Sequence, residues 1–190
     1  MGIAVTRARK RLCVFCGASL GARPEYAEAA ENLGRLMAKA QWGLVYGGTS
    51  IGLMGRIADA VLAGGGEAIG VLPSSLVEKG IAHPDLNDLL IVDSLAERKQ
   101  RMFDLSGAFA ALPGGFGTLD ELSEMLAWAQ LGYHQKPVAL LNTGGYFDAL
   151  LDFLRHAAGE GLLRESHLSL LGIADDPETL LRLVSGGTTP

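Results

Sequence analysis

The sequence predicts an α/β protein in which a mostly parallel sheet is covered by helices on both faces. Apolar, strand-like runs alternate with helical patterns along the whole chain. Four of the six runs are almost continuously apolar, as strands buried on both faces are. These observations indicate a Rossmann-like fold. Because 190 residues suit one domain, we expect a single domain over 1–190, with flexible ends at 1–10 and 186–190.

Each predicted element follows from its local pattern. The apolar runs that predict strands are Leu12–Cys16, Gly43–Tyr46, Ala68–Leu72, Leu89–Val92, Ala108–Leu112 and Pro137–Leu141. The stretches that predict helices are Pro24–Ala40, Gly52–Ala63, Leu95–Ser106, Leu119–Leu131, Tyr146–Ala158 and Pro177–Val184. Parallel sheets bind ligands at the C-terminal ends of their strands. We therefore expect the functional site among the residues that directly follow the strands.

Charge and hydropathy exclude several classes of protein. Lys and Arg number 16 and Asp and Glu number 21, so the net charge is −5, whereas proteins that bind duplex nucleic acid carry a basic excess. The longest mostly apolar stretch, Ile57–Pro73, is interrupted by Asp59, three glycines and Glu67, so it cannot span a bilayer. Basic residues before Leu12 resemble a secretion signal, but the apolar run behind them is short. We expect a cytoplasmic protein without nucleic-acid or membrane partners.

Cys13 and Cys16 have the C-x-x-C spacing of a redox motif. Such motifs open a helix, whereas these cysteines lie in an apolar run that predicts a buried strand. Three residues along a strand place the two side chains on opposite faces, too far apart to bridge. We expect both to be core residues. The four histidines are scattered without metal-ligand spacing, so no metal site is expected.

Three predicted strands end in glycine or small polar residues that lead into a helix. These segments are Gly17–Ser19, Gly47–Gly52 and Pro113–Thr118. Glycines at such turns let backbone N–H groups approach an anion at a helix N-terminus, where the helix dipole also favours negative charge. One turn of this kind would only save space. Three at one edge of a sheet predict a phosphate pocket.

The glycine spacing narrows the class of phosphate ligand. Gly47–Gly52 has the glycine spacing of a Walker A loop, but an apolar pair follows it, so no lysine reaches a triphosphate. Gly115 and Gly117 match the start of the dinucleotide fingerprint, but Asp120 replaces its third glycine. A nucleoside monophosphate or a sugar phosphate fits better. The predicted domain is therefore a nucleotide-binding or sugar-phosphate-binding one.

Glu121 has two interpretations. Thr118 and Glu121 have the spacing of a capping box, in which the threonine caps the helix and the glutamate returns to the N–H of the cap. The same spacing places a carboxylate beside the phosphate pocket, where a bare anion would repel the ligand. A general base, or a group that stabilises a sugar cation, needs that position. The spacing supports the two roles equally.

A second capping box, Ser94 with Glu97, places Arg98, Lys99 and Arg101 in the first two turns of the next helix. Cations there oppose the helix dipole, at a cost of about a few tenths of a kcal/mol each. A solvated basic face is one explanation. An anion bound nearby would offset the cost, and we favour this explanation for Arg98.

Residues 113–121, with the sequence PGGFGTLDE, resemble the PGGxGTxxE signature of the LONELY GUY family of cytokinin-activating enzymes. Glu97–Lys99 resembles the companion Arg-Lys motif of that family. The similarity extends from Leu12 to about Leu183. Further matching segments are Cys16–Ser19, Gly47–Gly48, Gly52–Gly55 and Trp128–Gly132.

The resemblance implies a Rossmann-like 5′-monophosphate phosphoribohydrolase, in which water cleaves the N-glycosidic bond of an N6-modified AMP and releases the base and ribose 5-phosphate. It implies that Arg98 and Glu121 are the catalytic pair. Glu121 would orient water or stabilise the oxocarbenium-like sugar, and Arg98 would bind the ligand and fix that carboxylate. The substrate-binding residues implied are Ser19, Gly48, Lys99, Gly114, Gly115, Phe116, Gly117 and Thr118. A homodimer without metal or organic cofactor is also implied.

The chain departs from the family pattern at three places. These departures concern the choice of nucleobase in the substrate and not the pair of Arg98 and Glu121. Leu95 and Ala96 replace a common Met-His, Gly107 replaces a common Asp, and Ser74 replaces a glutamate of many plant-like members. Some members carry a lysine decarboxylase label, which we reject because no lysine here has a pyridoxal-phosphate context. The rival class is a non-catalytic nucleotide or molybdopterin carrier of the same superfamily, which has no chemical need for Arg98 and Glu121 together.

Overall fold

Seven parallel strands form one sheet in the computed structural model, which describes residues 10–186. The strands are β1 (Lys10–Phe15), β2 (Trp42–Tyr46), β3 (Ala68–Pro73), β4 (Asp88–Val92), β5 (Ala108–Ala111), β6 (Val138–Leu141) and β7 (Leu171–Ala174). The helices are α1 (Pro24–Lys39), α2 (Gly52–Ala63), α3 (Ser74–Val77), α4 (Leu95–Leu105), α5 (Phe116–Gln130), α6 (Asp148–Gly159), α7 (Glu165–Leu168) and α8 (Pro177–Val184). A 3-10 turn occupies Thr143–Gly145. The predicted Rossmann-like α/β fold is confirmed.

The strand order is β4-β3-β2-β1-β5-β6-β7, so the direction of winding reverses between β1 and β5. These two strands pair in register from Leu12 with Ala108 to Phe15 with Ala111. Their following loops stay in contact, because the N–H of Gly17 donates to the carbonyl of Pro113 at 3.0 Å. Ligands of open α/β sheets bind in the crevice at such a reversal. The topology therefore places a binding crevice above the ends of β1 and β5.

Two apolar cores lie on the two faces of the sheet. Leu12, Val14 and Cys16 belong to the core under α1, α2 and α8. Cys13 and Phe15 belong to the core under α4, α5 and α6. Strands covered on both faces need apolar side chains at every position, which explains their continuous apolar runs. The prediction that the two cysteines are buried, unbridged core residues on opposite faces is confirmed, and burial raises the pKa of both thiols.

Several boundaries differ from the sequence-based expectation. Helix α5 begins at Phe116 rather than Leu119, because Gly115 is its N-cap. Strand β7 was not predicted, since it is a four-residue edge strand with a glycine inside and an exposed Ile173. Lys10 is the first residue of β1, so the expected flexible segment 1–10 is wrong at that residue. The remainder of the expected flexible ends, 1–9 and 187–190, lies outside the described residues.

Between residues 10 and 186, no helix has both the length and the apolar character that a bilayer span requires.

Helices α1 and α2 pack closely at Gly34. A Cβ on Gly34 would lie 2.7 Å from the Cβ of Ala60 and 2.7 Å from the carbonyl oxygen of Ile57. Because one of these atoms belongs to the backbone, the contact can be relieved only by moving a helix. Glycine is therefore required at this position by helix packing.

We expect Gly34→Ala to lower the free energy of unfolding by about 1–3 kcal/mol, because overpacking outweighs the better helix propensity of alanine. Gly159→Ala is the matched control, since Gly159 also lies in a helix but a Cβ there meets no atom within 4 Å. Urea unfolding of both variants checks the prediction. Equal midpoints for the two variants would contradict it.

Candidate active site

A cavity of about 260 Å³ lies above the ends of β1 and β5, where the topology predicts a crevice. Its walls come from the loops that follow β1, β2 and β5 and from the first turns of α4 and α5. The lining residues that matter for chemistry are Cys16, Gly47, Arg98, Gly115, Gly117, Thr118 and Glu121. The cavity therefore combines backbone amides of glycines with one guanidinium and one carboxylate.

The segment from Gly114 to Thr118 folds tightly around its own threonine. A Cβ on Gly114 would collide with Oγ1 of Thr118, and it would lie 3.0 Å from the backbone nitrogen of Gly17. Tyr146 fixes the same segment from outside, because its hydroxyl donates to the carbonyl of Gly114 at 2.6 Å. Glycine at 114 is thus explained by packing within the protein.

Gly115 and Gly117 have no such explanation. A Cβ on either residue would meet no protein atom within 4 Å, and neither residue has a positive φ. Both border the open cavity at the start of α5. This helix begins without a side-chain cap and carries no acidic residue in its first turn, so its first amides can bind an anion. Packing within the described protein therefore does not require glycine at either position, and the space above both residues is open to a ligand.

Arg98 reaches the cavity from the first turn of α4. Its Nε donates to the carbonyl of Val71 at 3.0 Å, and its Nη1 lies 3.2 Å from Oε1 of Glu121. Gly47 makes this reach possible, because a Cβ on that residue would collide with the guanidinium. Only 15% of the Arg98 side chain is exposed. Strands β2 and β3 and helix α5 thus hold the guanidinium in one orientation.

Glu121 lies in the second turn of α5, with 10% of its side chain exposed. Burial raises its pKa to about 7, although the neighbouring Arg98 acts in the opposite direction. Asp120 and Glu124 raise the pKa further, and Lys99 lowers it. Near neutral pH the carboxyl group therefore exchanges between its ionised and protonated forms, which is the property that general acid–base chemistry requires.

The capping box predicted for Thr118 and Glu121 is wrong. Because α5 begins at Phe116, Thr118 is already its third residue and its hydroxyl packs against Gly114. The capping role of Glu121 is therefore removed, and the role next to a ligand is left. The second predicted cap is present at Ser94, whose Oγ accepts from the N–H of Glu97 at 3.1 Å. The carboxylate of Glu97 accepts a hydrogen bond from the backbone N–H of Asp93, whereas a capping box would use the N–H of Ser94.

The other residues predicted to bind substrate lie outside this cavity. Lys99 directs its Nζ to Asp120 and Glu124. Phe116 is 93% exposed, and a Cβ on Gly48, whose φ is +78°, would lie 3.3 Å from the Cα of Gly70. The carbonyl of Gly48 accepts from His83, which holds the loop after α3. These placements leave the binding roles of Lys99, Phe116 and Gly48 as predictions only.

A second cavity of about 450 Å³ lies on the other side of the glycine loops. It shares Gly17, Ala18 and Gly115 with the first cavity. Ser19, predicted from the sequence, lines this second cavity, together with two aromatic residues that were not predicted, Tyr26 and Tyr146. Their rings meet edge to face at 5.4 Å.

Among the other lining residues of the first cavity, Gly47 belongs to the segment Gly47–Gly52 that predicts the pocket, because it directly follows β2 at the ligand-binding edge of the sheet. Met54 and Cys16 also line this cavity and were not predicted to do so. Met54 gives no such signal, because apolar residues of a helix normally predict core packing.

Fold and site together define a Rossmann-like protein with a glycine-lined cavity at the reversal of its sheet. The chain is 48% identical to the Probable cytokinin riboside 5′-monophosphate phosphoribohydrolase LOGL9 of Oryza sativa subsp. japonica, over 90% of this chain and 76% of that protein. It is 44% identical to the Cytokinin riboside 5′-monophosphate phosphoribohydrolase LOG1 of Arabidopsis thaliana, over 91% and 81%. The sequence profile described as Possible lysine decarboxylase matches residues 54–184. The chain belongs to the LONELY GUY family of cytokinin riboside 5′-monophosphate phosphoribohydrolases, as its motifs predict.

Among solved structures, the chain is similar to the molybdenum cofactor binding protein of the phototrophic bacterium Rippkaea orientalis. The TM-score is 0.70 and the identity 26%, over 93% of this chain and 96% of that one. The same fold therefore occurs in a protein with a different ligand, so the site rather than the fold must decide the function.

The lysines do not support the chemistry in the name of the matched profile. None of them lines the first cavity. Lys99 binds two carboxylates, and Lys136 donates to the carbonyl of Phe103 at 2.7 Å while lying over its ring. No amine is available in the cavity to form a Schiff base.

We expect the stability of the protein to fall with pH because of Glu121. Folding raises the pKa of this group from the ordinary 4.5 to about 7, so the folded state holds the proton more tightly. The resulting stabilisation is complete below pH 4.5 and is lost as the pH rises through 7, with a size on the order of 3 kcal/mol. Glu121→Gln has no carboxyl group at this position, so its free energy of unfolding should not fall in this way as the pH rises. Urea unfolding of both proteins between pH 5 and pH 8 measures the difference.

Glu28→Gln is the control for this measurement, since Glu28 is an exposed glutamate on α1. Its unfolding free energy should follow that of the wild type at every pH. Parallel curves for the wild type and Glu121→Gln would show that Glu121 does not titrate in this range.

Proposed function

We propose that this chain hydrolyses the N-glycosidic bond of AMP and of N6-modified AMP, releasing the free base and ribose 5-phosphate. The observation that carries the proposal is the open space at Gly115 and Gly117, at the uncapped start of the same helix that carries Glu121. The names of the relatives support the same reaction.

The helix geometry fits a nucleoside monophosphate. A phosphate on the first amides of α5 would be about one helical turn, ~6 Å, from Glu121. One ribose ring can bridge that span, which brings its anomeric carbon to the carboxylate. Arg98, held by Val71 and Glu121, would contact the ligand from the opposite wall.

The reaction needs a base and a group that stabilises positive charge, and the ionised form of Glu121 supplies both. As the bond between the anomeric carbon and the base breaks, the electron pair leaves with the base and the sugar acquires oxocarbenium character. The carboxylate stabilises that charge and accepts a proton from the attacking water, whose oxygen bonds to the anomeric carbon. The proton then passes to the leaving base. Arg98 keeps part of the Glu121 population ionised near neutral pH.

A non-catalytic carrier is the second candidate, favoured by the similarity to the molybdenum cofactor binding protein. A carrier would also use the amides at the start of α5, because they recognise any phosphate. A carboxylate buried beside the anion repels the ligand. A carrier gains nothing from such a group, whereas hydrolysis requires it. The buried pair of Arg98 and Glu121 therefore favours the enzyme.

We also propose a cytoplasmic homodimer. Leu95 and Phe116, at the starts of α4 and α5, are large exposed apolar side chains beside the site, and burial in a dimer would remove them from water. Light scattering on the purified protein gives the mass that tests the dimer.

We expect chromatography to detect free base and ribose 5-phosphate after the protein is incubated with AMP or isopentenyl-AMP. Glu121→Gln should reduce kcat by about 10²–10⁴-fold, the range typical of a lost acid–base group, while nucleotide binding persists. Nucleotide binding without release of base by the wild type would favour the carrier instead.

We expect Gly117→Ala to weaken AMP binding by about tenfold or more with unchanged thermal stability, because the new methyl group occupies ligand space and touches no protein atom. Calorimetric titration with AMP gives the affinity. Gly159→Ala is the control, since its added methyl group is also free of contacts but lies at the end of α6. Unchanged affinity in Gly117→Ala would place the phosphate elsewhere.

A further inference from the structure

Lys99 stands next to Arg98 in sequence but serves a different partner. Its Nζ lies 3.1 Å and 3.2 Å from the two carboxylate oxygens of Asp120 and 3.2 Å from Oε2 of Glu124. Only 19% of the Lys99 side chain is exposed. Lys99 is therefore a partly buried cation that joins α4 to two successive turns of α5.

The two carboxylates that it binds flank Glu121 along α5. Asp120 precedes Glu121 directly and Glu124 follows three residues later, so three acidic side chains lie within five residues of one helix. Like charges at this spacing repel one another. Arg98 pairs with the middle carboxylate and Lys99 with the outer two, so α4 supplies both of the cations in this contact.

We propose that Lys99 is a positioning residue, which pins α4 to α5 through Asp120 and Glu124 and thereby keeps Arg98 against an ionised Glu121. This inference rests on the proposed hydrolase function. It differs from the binding role implied by the family resemblance, because Lys99 does not line the cavity and its ammonium is already engaged by two carboxylates.

The electrostatics of the contact support this role. The groups facing Glu121 are Arg98 and Lys99 from α4, Asp120 and Glu124 from its own helix, and two buried thiols, that of Cys13 in β1 and that of Cys16 directly after β1. The two cations lower the pKa of Glu121, and the two carboxylates raise it. Burial alone would lower the pKa of Lys99, but its bonds to Asp120 and Glu124 outweigh that effect and raise it. Lys99 therefore stays charged throughout the neutral range.

The test is the pH dependence of AMP hydrolysis by the wild type, Lys99→Met and Lys99→Arg. Because the ionised form of Glu121 is the active one, kcat rises with pH through the pKa of that group. Lys99→Met should move this acid limb upward by about half a pH unit or more. The KM for AMP should change less than about twofold, and Lys99→Arg should restore the wild-type limb.

Two further variants make the direction of the shift decisive. Asp120→Asn removes a carboxylate that repels Glu121 but leaves Glu124 to hold Lys99, so it should move the acid limb downward. Arg101→Met also removes a cation from α4, but Arg101 pairs with Glu97 and is more than half exposed. The acid limb of this variant should therefore match that of the wild type. A raised KM with unchanged kcat in Lys99→Met would make Lys99 a nucleotide ligand. An unmoved limb in a folded Lys99→Met would make it purely structural. Either result overturns the proposal.

A measurement without substrate separates this inference from the proposed function. Carbon-13 NMR titration of the Glu121 carboxyl group, assigned with Glu121→Gln, reports its protonation directly. A higher midpoint in Lys99→Met supports the positioning role even if the wild type releases no base, in which case only the hydrolase function fails. An unchanged midpoint overturns the role of Lys99 whatever the activity.

Discussion

The pairing of β1 with β5 at the centre of the sheet is the constraint on which the site depends. It is the one pairing that joins the two halves of the sheet, which wind in opposite directions. It brings the loop after β1 and the loop after β5 into hydrogen-bond contact at Gly17 and Pro113. Helix α5 starts from the second of these loops, so the same pairing fixes where its free amides point. The glycine chemistry of the site follows from this backbone arrangement.

Burial of the ion pair of Arg98 and Glu121 costs the folded state free energy. Charges removed from water are stabilised only when their partners and hydrogen bonds are well placed. Arg98 meets this condition through the carbonyl of Val71 and the space left by Gly47, whereas Glu121 pairs with Arg98 and is opposed by two acidic neighbours, whose effect Lys99 partly offsets. The fold therefore tolerates a carboxylate whose protonation is balanced near neutrality. A protein optimised only for stability would place an apolar residue at that position.

Much of this arrangement could be predicted from the sequence, for local reasons. Continuous apolar runs identify doubly covered strands, and glycines directly after them identify the ligand edge with the segment from Gly114 to Thr118, whereas the pairing of Arg98 with Glu121 was implied by the family resemblance. The misplaced capping box shows where local spacing fails: Gly115 starts the helix earlier, and Thr118 then has a different partner. The contacts of Lys99 depend on how α4 and α5 face each other, which no spacing along the chain specifies. Strand β7 carries too few apolar residues to be recognised without its partner β6.

The lining shared by the two cavities has a consequence for how such a protein can diverge. Gly17, Ala18 and Gly115 line both cavities. Side chains that line the second cavity and not the first, such as Tyr26 and Tyr146, come from α1 and from the loop before α6 rather than from α4 and α5. Tyr146 nevertheless acts on the first cavity, because its hydroxyl donates to the carbonyl of Gly114 in the loop that leads into α5. A substitution at Tyr26 can therefore reshape the second cavity while that hydrogen bond stays in place, whereas a substitution at Tyr146 alters both cavities together.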